Sequence, residues 1–315
     1  MARRNDLTTL SIYIADEQLD LRRMIRTALN RLSNVEYSEY KEFESLKSDL
    51  EFSWPDLVLI DIDLPGGDVC ELVRAIRYNE FGMNPFVPIV ALTWATNRNS
   101  IRRIIDAGVD SVLIKPLSAS AVVKYVDKLS RSRKSFVVTS SYIGPDRRVD
   151  PGKSGDIPLM QVPNTFQSKC NGEPVNIAEL NTWITDELQV FNTERLRSNA
   201  VEIRRLVGLI LTDYDEGDIK DTTFEVLDRI KAITSDLAER TKKGDFEHIS
   251  GLCDNLIKVV RSLATNRVDP PKKDLQLIKP LCDAILAGID EGDSSEMAMQ
   301  ISSSVSGART AAKSA

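Results

Sequence analysis

Five short apolar runs, each separated from the next by a stretch of helical period, constrain this chain more than any other feature. TLSIYIA (9–15), VEYSEY (35–40), DLVLID (56–61), VPIVAL (87–92) and DSVLI (110–114) read as strands. Amphipathic segments fall near 18–32, 42–50, 67–79 and 98–107, with a fifth at 118–130. Strands alternating with helices of this length pair in parallel through crossover connections, and both faces of the sheet are then covered by helices. The expected fold of residues 1–130 is therefore α/β, a doubly wound five-stranded parallel sheet.

A sheet of this kind gathers its chemistry at the carboxyl ends of the strands. The first strand runs into Asp16-Glu17, the third ends in Asp61, the fourth in Thr93 and the fifth in Lys115-Pro116. Carboxylates brought together raise one another's pKa unless a cation sits among them. A hard divalent ion with oxygen ligands, Mg²⁺ above all, suits such a set and keeps several waters. Lys115 and Thr93 add a point charge and a hydroxyl donor for phosphate oxygens. These are the parts for phosphoryl transfer to an aspartate. Asp61 would be the nucleophile, the glycines after it would make the strand-to-helix turn, and Asp63 would offer its backbone carbonyl to the metal.

The order and spacing of Asp16-Glu17, Asp61-x-x-x-Pro65, Thr93 and Lys115-Pro116 resemble the receiver domain of bacterial two-component response regulators, over residues 9–130. The resemblance implies that Asp61 is the phosphoacceptor and that Asp16 and Glu17 hold Mg²⁺ directly or through water. It implies that Thr93 moves to the phosphoryl group, that Lys115 pairs with it, and that a cis bond precedes Pro116. It also implies a donor, a sensor histidine kinase or phosphotransfer protein, and a response-regulator role without a separate catalytic domain, with self-dephosphorylation at most. Three positions depart from the family pattern. The acidic pair is Asp-Glu where Asp-Asp is commoner, Trp94 follows the threonine where small residues are usual, and Val112 stands where many receivers carry Tyr or Phe. Trp94, or the backbone around 94–110, is therefore expected to carry the switch.

Residues 131–175 become rich in Pro, Gly and Ser, which reads as a linker. Within it FVVTSSYIG has strand character, and IPLMQVPNTF reads either as an incidental apolar segment or as a docking peptide. SSYIGPDRR is similar to tails found after receivers in some bacterial regulators. The cluster Arg131, Arg133, Lys134, Arg147 and Arg148 reads as solvated, or as a site for an acidic partner.

From 176 to 306 the period is helical throughout, giving an all-α domain, and 307–315 is a polar tail. Asn176 to Glu179 resembles a capping box. Helices are expected after it to about 188, then at 196–211, 223–241, 246–264, 274–289 and 295–305. DYDEGD (213–218) fails as a calcium loop, with Gly217 at position 5 and Phe224 at position 12, and reads as a turn between helices.

Charge narrows the output. Residues 1–175 carry 23 Lys+Arg and 23 Asp+Glu, and 176–315 carry 18 and 24, so the net −6 falls in the second half. That makes a nucleic-acid surface there unfavourable. An interaction or oligomerisation module leads. A DNA-binding output using Arg195, Arg197, Arg204 and Arg205, or a phosphotransfer or phosphatase output using His248, the sole histidine, are the alternatives. Cys70, Cys170, Cys253 and Cys282 lie far apart, which argues for reduced thiols rather than a zinc or disulfide framework. No apolar run approaches the ~18–20 residues that span a bilayer, so a cytoplasmic protein with no membrane association is expected.

Overall fold

The computed structural model describes residues 8–148, 158–242, 246–266 and 270–290. They belong to two compact units, Met1–Leu188 and Gln189–Ala315.

The first unit holds the expected sheet. Strands β1 (Leu10–Ala15), β2 (Val35–Tyr40), β3 (Leu57–Asp61), β4 (Ile89–Thr93) and β5 (Ser111–Ile114) pair in parallel in the order β2-β1-β3-β4-β5. Helices α1 (Leu19–Leu29), α2 (Phe43–Phe52), α3 (Val69–Arg77) and α4 (Arg98–Asp106) make the four crossovers, and α5 (Ala119–Arg131) follows the last strand. This is the doubly wound, flavodoxin-like order. Side chains alternate across the sheet with period two. Ile12, Ile14, Leu57, Leu59, Val90 and Leu92 pack with α1 and α5, while Tyr13, Ala15, Val58, Ile60, Ile89 and Ala91 pack with α2 and α3. Every residue of β3 and β4 is buried, as central strands covered on both faces must be.

The largest difference from the sequence reading lies between 131 and 175. The domain does not end at 130 and the next segment is not an open linker, because its described residues pack on the sheet's opposite end. β6 (Phe136–Val138) and β7 (Ile143–Pro145) form an antiparallel hairpin, Met160 bridges to Phe136, and α6 (Thr165–Cys170) follows. Phe136 and Phe166 are fully buried, and Phe166 belongs to the core beside α1 and α5. Each buried aromatic side chain contributes about 1.5–3 kcal/mol of transfer free energy. The described part of IPLMQVPNTF, residues 158–166, docks on its own receiver through Met160, Thr165 and Phe166, and Ile157 lies outside the described residues.

The polar contacts of this extension are as dense as its apolar ones. Asp110 accepts from Arg133 Nε at 2.6 Å, from Arg77 Nη2 at 3.0 Å and from the Ile89 N–H at 2.9 Å. Arg77 and Arg133 lie on the Phe136 ring, 5.3 and 4.8 Å from its centroid. Lys169 reaches Asp56 at 2.7 Å and the Thr9 carbonyl at 3.0 Å. SSYIGPDRR supplies Ile143 and Gly144 against Gly108, and Arg147, which donates to the carbonyls of Val109 and Asp110. Arg133 and Arg147 are therefore structural cations rather than members of a solvated cluster.

Helix α7 (Ile177–Glu216) runs from the first unit into the second. Two helices were expected over this span; one forms because residues 189–195 contain neither Gly nor Pro and keep the period with buried Phe191 and Arg195. At its start the Asn176 side chain accepts from the Ala178 N–H at 3.0 Å, and Glu179 accepts from Asn176 Nδ2 rather than from main chain, so the capping box is only half made.

In the second unit α7 is joined by α8 (Asp221–Thr241), α9 (Glu247–Thr265) and α10 (Lys272–Asp290) around one apolar core that includes Leu206, Ile230, Leu256 and Leu281. This is the expected all-α region. The acidic stretch 213–218 lies at the end of α7 and its turn, with Gly217 at φ +67°. All four cysteines are free thiols. The helix expected at 295–305 and the tail at 307–315 lie outside the described residues. Among those described, no helix is long and apolar enough to cross a membrane.

Candidate functional site

The C-terminal edge of the parallel sheet brings three of the predicted side chains together. Asp16, just past β1, is fully buried; Asp61, the last residue of β3, is 6 % exposed; Lys115, just past β5, is 4 % exposed. Lys115 Nζ donates to Asp16 Oδ2 at 2.6 Å and to Asp61 Oδ2 at 2.7 Å. Each side chain arrives there because its strand ends there, and parallel register places the ends side by side. The Lys115–Pro116 bond is cis.

The second Asp61 oxygen, Oδ1, accepts only a long bond from the Asp63 N–H, at 3.3 Å. Burial pushes the Asp61 carboxyl above its ordinary range; Lys115 pulls it down, Asp16 pushes it up again, and the balance stays upward. Two buried carboxylates share one ammonium. Thr93, at the end of β4, is buried, and its Oγ1 accepts from the Ala95 N–H at 3.0 Å, which leaves the hydroxyl proton for another acceptor.

The predicted metal ligands divide into two groups. Asp16 and Asp61 point into the site, whereas the side chains of Glu17 and Asp63 are exposed. Among the described residues, no three His, Cys, Asp or Glu side chains stand close enough to share a metal. The donor set still fits a hard cation that retains most of its water, because two carboxylates with one counter-charge leave negative charge uncompensated.

The loop after Asp61 is shaped by glycine for two separate reasons. Gly66 sits at φ +107°, which a side chain would strain. A methyl group on Gly67 would collide with the Phe43 ring. Asp68 then caps α3 by accepting from the N–H groups of Cys70 and Glu71, and it also takes Arg103 of α4. Trp94 is 52 % exposed, with its ring centroid 5.8 Å from Lys115 Nζ. Val112, half-buried, puts an aliphatic side chain where a ring would stand.

Sequence reasoning missed Arg22, whose Nη1 donates to the carbonyls of Asp16 and Glu17. Its one signal was position, a cation one turn into the helix that follows the acidic pair. His248, weighed as a phosphotransfer residue, has its Nε2 buried with no hydrogen-bond partner. A β-carbon added at Gly288 would lie 3.4 Å from that nitrogen.

Residues 12–127 match the family model described as the response regulator receiver domain. The phosphate regulon transcriptional regulatory protein PhoB of Klebsiella pneumoniae is 25 % identical over 160 residues, covering 50 % of this chain and 69 % of its own length. The transcriptional regulatory protein ResD of Bacillus subtilis is 30 % identical over 120 residues, covering 38 % and 48 %. Among solved structures, response regulator DrrB of Thermotoga maritima is 21 % identical and covers 41 % of this chain and 56 % of its own, with a TM-score of 0.35. Residues 12–127 are thus a response regulator receiver domain, carried here with an extension that completes its fold and a helical region beyond it.

Proposed function

We propose that Asp61 accepts a phosphoryl group from the phosphohistidine of a sensor histidine kinase or phosphotransfer protein, and that the acyl phosphate switches a protein–protein interaction or self-association of the helical unit. The observation that carries this reading is the buried Asp16–Lys115–Asp61 arrangement at the strand ends of a receiver domain.

Asp61 Oδ1 is the attacking atom, because Oδ2 is occupied by Lys115. As the new O–P bond forms, the N–P bond of the donor breaks and its electron pair returns to the imidazole. Lys115, already within 2.7 Å of Asp61, is placed to follow the charge onto a phosphoryl oxygen. Thr93 supplies a hydroxyl proton to another phosphoryl oxygen. When bound, Mg²⁺ held by Asp16 and Asp61, with Glu17 through water and the Asp63 carbonyl, would neutralise charge between acceptor and phosphoryl group. The chain needs no separate catalytic domain for this step.

Two features support an interaction output over the alternatives. Arg195, Arg197, Arg204 and Arg205, the cations that would contact DNA, are each paired, with Asp236, Asp290, Asp283 and Glu202, and Arg195 is buried. The shielded Nε2 of His248 is a poor phosphate carrier.

Intact-protein mass spectrometry after incubation with an acyl phosphate and Mg²⁺ tests the acceptor. One phosphoryl group on the wild type and none on Asp61→Asn is expected; an unmodified wild type, or an adduct on the variant, would sink the assignment. Light scattering with Mg²⁺ and beryllofluoride then reads self-association. A change in mass that Asp61→Asn lacks supports it, and a constant mass points to a different partner.

A further inference from the structure

Arg22 lies one turn into α1. Helical side chains lean toward the N-terminus of their helix, and this lean carries Arg22 back to the two carbonyls that precede α1. Nη1 donates to Asp16 O at 2.7 Å and to Glu17 O at 3.1 Å. Nε donates to Glu39 Oε2 at 3.2 Å, and Glu39, near the end of β2, also faces Arg26 at 3.5 Å. The Arg22 and Glu39 side chains are only 12 % and 25 % exposed, so solvent screens the pair incompletely.

The same loop is tied from its other side. The Asp16 N–H donates to Tyr40 O at 3.0 Å, and the Gln18 N–H donates to Asp16 Oδ1 at 2.8 Å. The peptide planes on either side of Glu17 are therefore held by Arg22 of α1, and the plane before Asp16 by β2; together they fix the directions in which the Asp16 carboxylate and the longer Glu17 side chain leave the backbone.

We infer that Arg22, anchored by Glu39, is a positioning residue that sets the affinity of the Asp16–Glu17 pair for a divalent cation. It touches neither cation nor phosphoryl group and acts through two carbonyls. This inference rests on the metal-dependent reading of the site given above. Guanidinium suits the task because donors in a rigid fork meet two carbonyls and a carboxylate at once, which a lysine ammonium on a flexible stem does less well. Partners that orient metal ligands typically change affinity about 10–100-fold when removed. Arg22 acts on the ligands' backbone rather than on their oxygens, so the lower end, about tenfold, is expected.

The test is calorimetric titration of the full-length chain with MgCl₂ for the wild type, Arg22→Ala, Arg22→Lys and Glu39→Gln, with each protein's melting temperature measured in metal-free buffer. The expected result is about tenfold weaker Mg²⁺ binding in Arg22→Ala, partial recovery in Arg22→Lys, a smaller loss in Glu39→Gln, and melting temperatures that do not follow the same order. Wild-type affinity in Arg22→Ala would overturn the inference. So would losses that track a fall in metal-free melting temperature across the variants, since Arg22 would then be structural only. A wild type that binds no Mg²⁺ would remove the metal reading of the site, and this inference with it.

Discussion

The two ends of the receiver sheet are built from the same kinds of side chain and reach opposite electrostatic outcomes. At the amino end of the strands one carboxylate, Asp110, receives four donors within 3.0 Å from two arginines and a backbone N–H. Burial pushes its carboxyl up, but Arg133 and Arg77 outweigh that and hold it below the ordinary range. At the carboxyl end two carboxylates share a single lysine, and Asp61 is left above its ordinary range. A satisfied cluster fixes structure; an unsatisfied one is poised to take a ligand. Burial of charge does not by itself mark function. A buried anion with too few donors does: Asp110 takes four, whereas Asp61 shares one lysine with Asp16 and keeps one oxygen with only a long bond.

The satisfied amino end has the most stability to lose. Asp110→Ala leaves Arg77 and Arg133 buried without their anion and should cost about 3–5 kcal/mol, seen as a lower urea midpoint for the receiver transition; a change under 1 kcal/mol would show that the network is not structural. Phe136→Ala, which empties the ring site between those arginines, should cost about 3 kcal/mol in the same assay.

The contrast sharpens with pH. An acid whose folded pKa is raised binds more protons when folded, so its contribution to stability falls as pH rises from 3.8 toward the raised value. Asp110 runs the other way: its contribution is present above 3.8 and is lost as pH falls through its lowered folded value. Asp61→Asn should therefore gain on the wild type as pH climbs past 3.8, by less than Asp110→Ala loses. Parallel stability curves for wild type and Asp61→Asn would contradict this. Smallest is Arg103→Ala, which removes an exposed pair with Asp68 and should cost only ~0.2–1 kcal/mol.

The carboxyl end was legible in the sequence, and the amino end was not. Asp16, Asp61, Thr93 and Lys115 each follow an apolar run, and parallel pairing turns the ends of such runs into neighbours whatever their separation along the chain. Arg77, Asp110 and Arg133 have no comparable marker. They stand 33 and 23 residues apart at helix and loop ends, where charges are ordinarily solvated. The extension was hidden for a related reason, since its Pro, Gly and Ser content is that of a linker and its strands are three residues each. Phe136 and Phe166 were the signal, two aromatics that a solvated linker has no use for. Helix α7 was divided in two by the polar look of residues 189–195, although nothing there breaks a helix.

Gly108 and Gly144 carry a lesson about descent. Gly108 has φ +96°, and a methyl group on it would meet the Ile143 carbonyl oxygen at 2.5 Å; one on Gly144 would lie 2.9 Å from the Gly108 Cα. Neither position can accept a side chain while the other face is in place, although they belong to segments that read as separate modules. A cut at the end of α5 would part the Gly108 notch of this receiver from the Ile143–Gly144 segment that fills it. Chimeras joined beyond α6, which keep the notch and its filling together, are therefore expected to melt higher than those joined at residue 131.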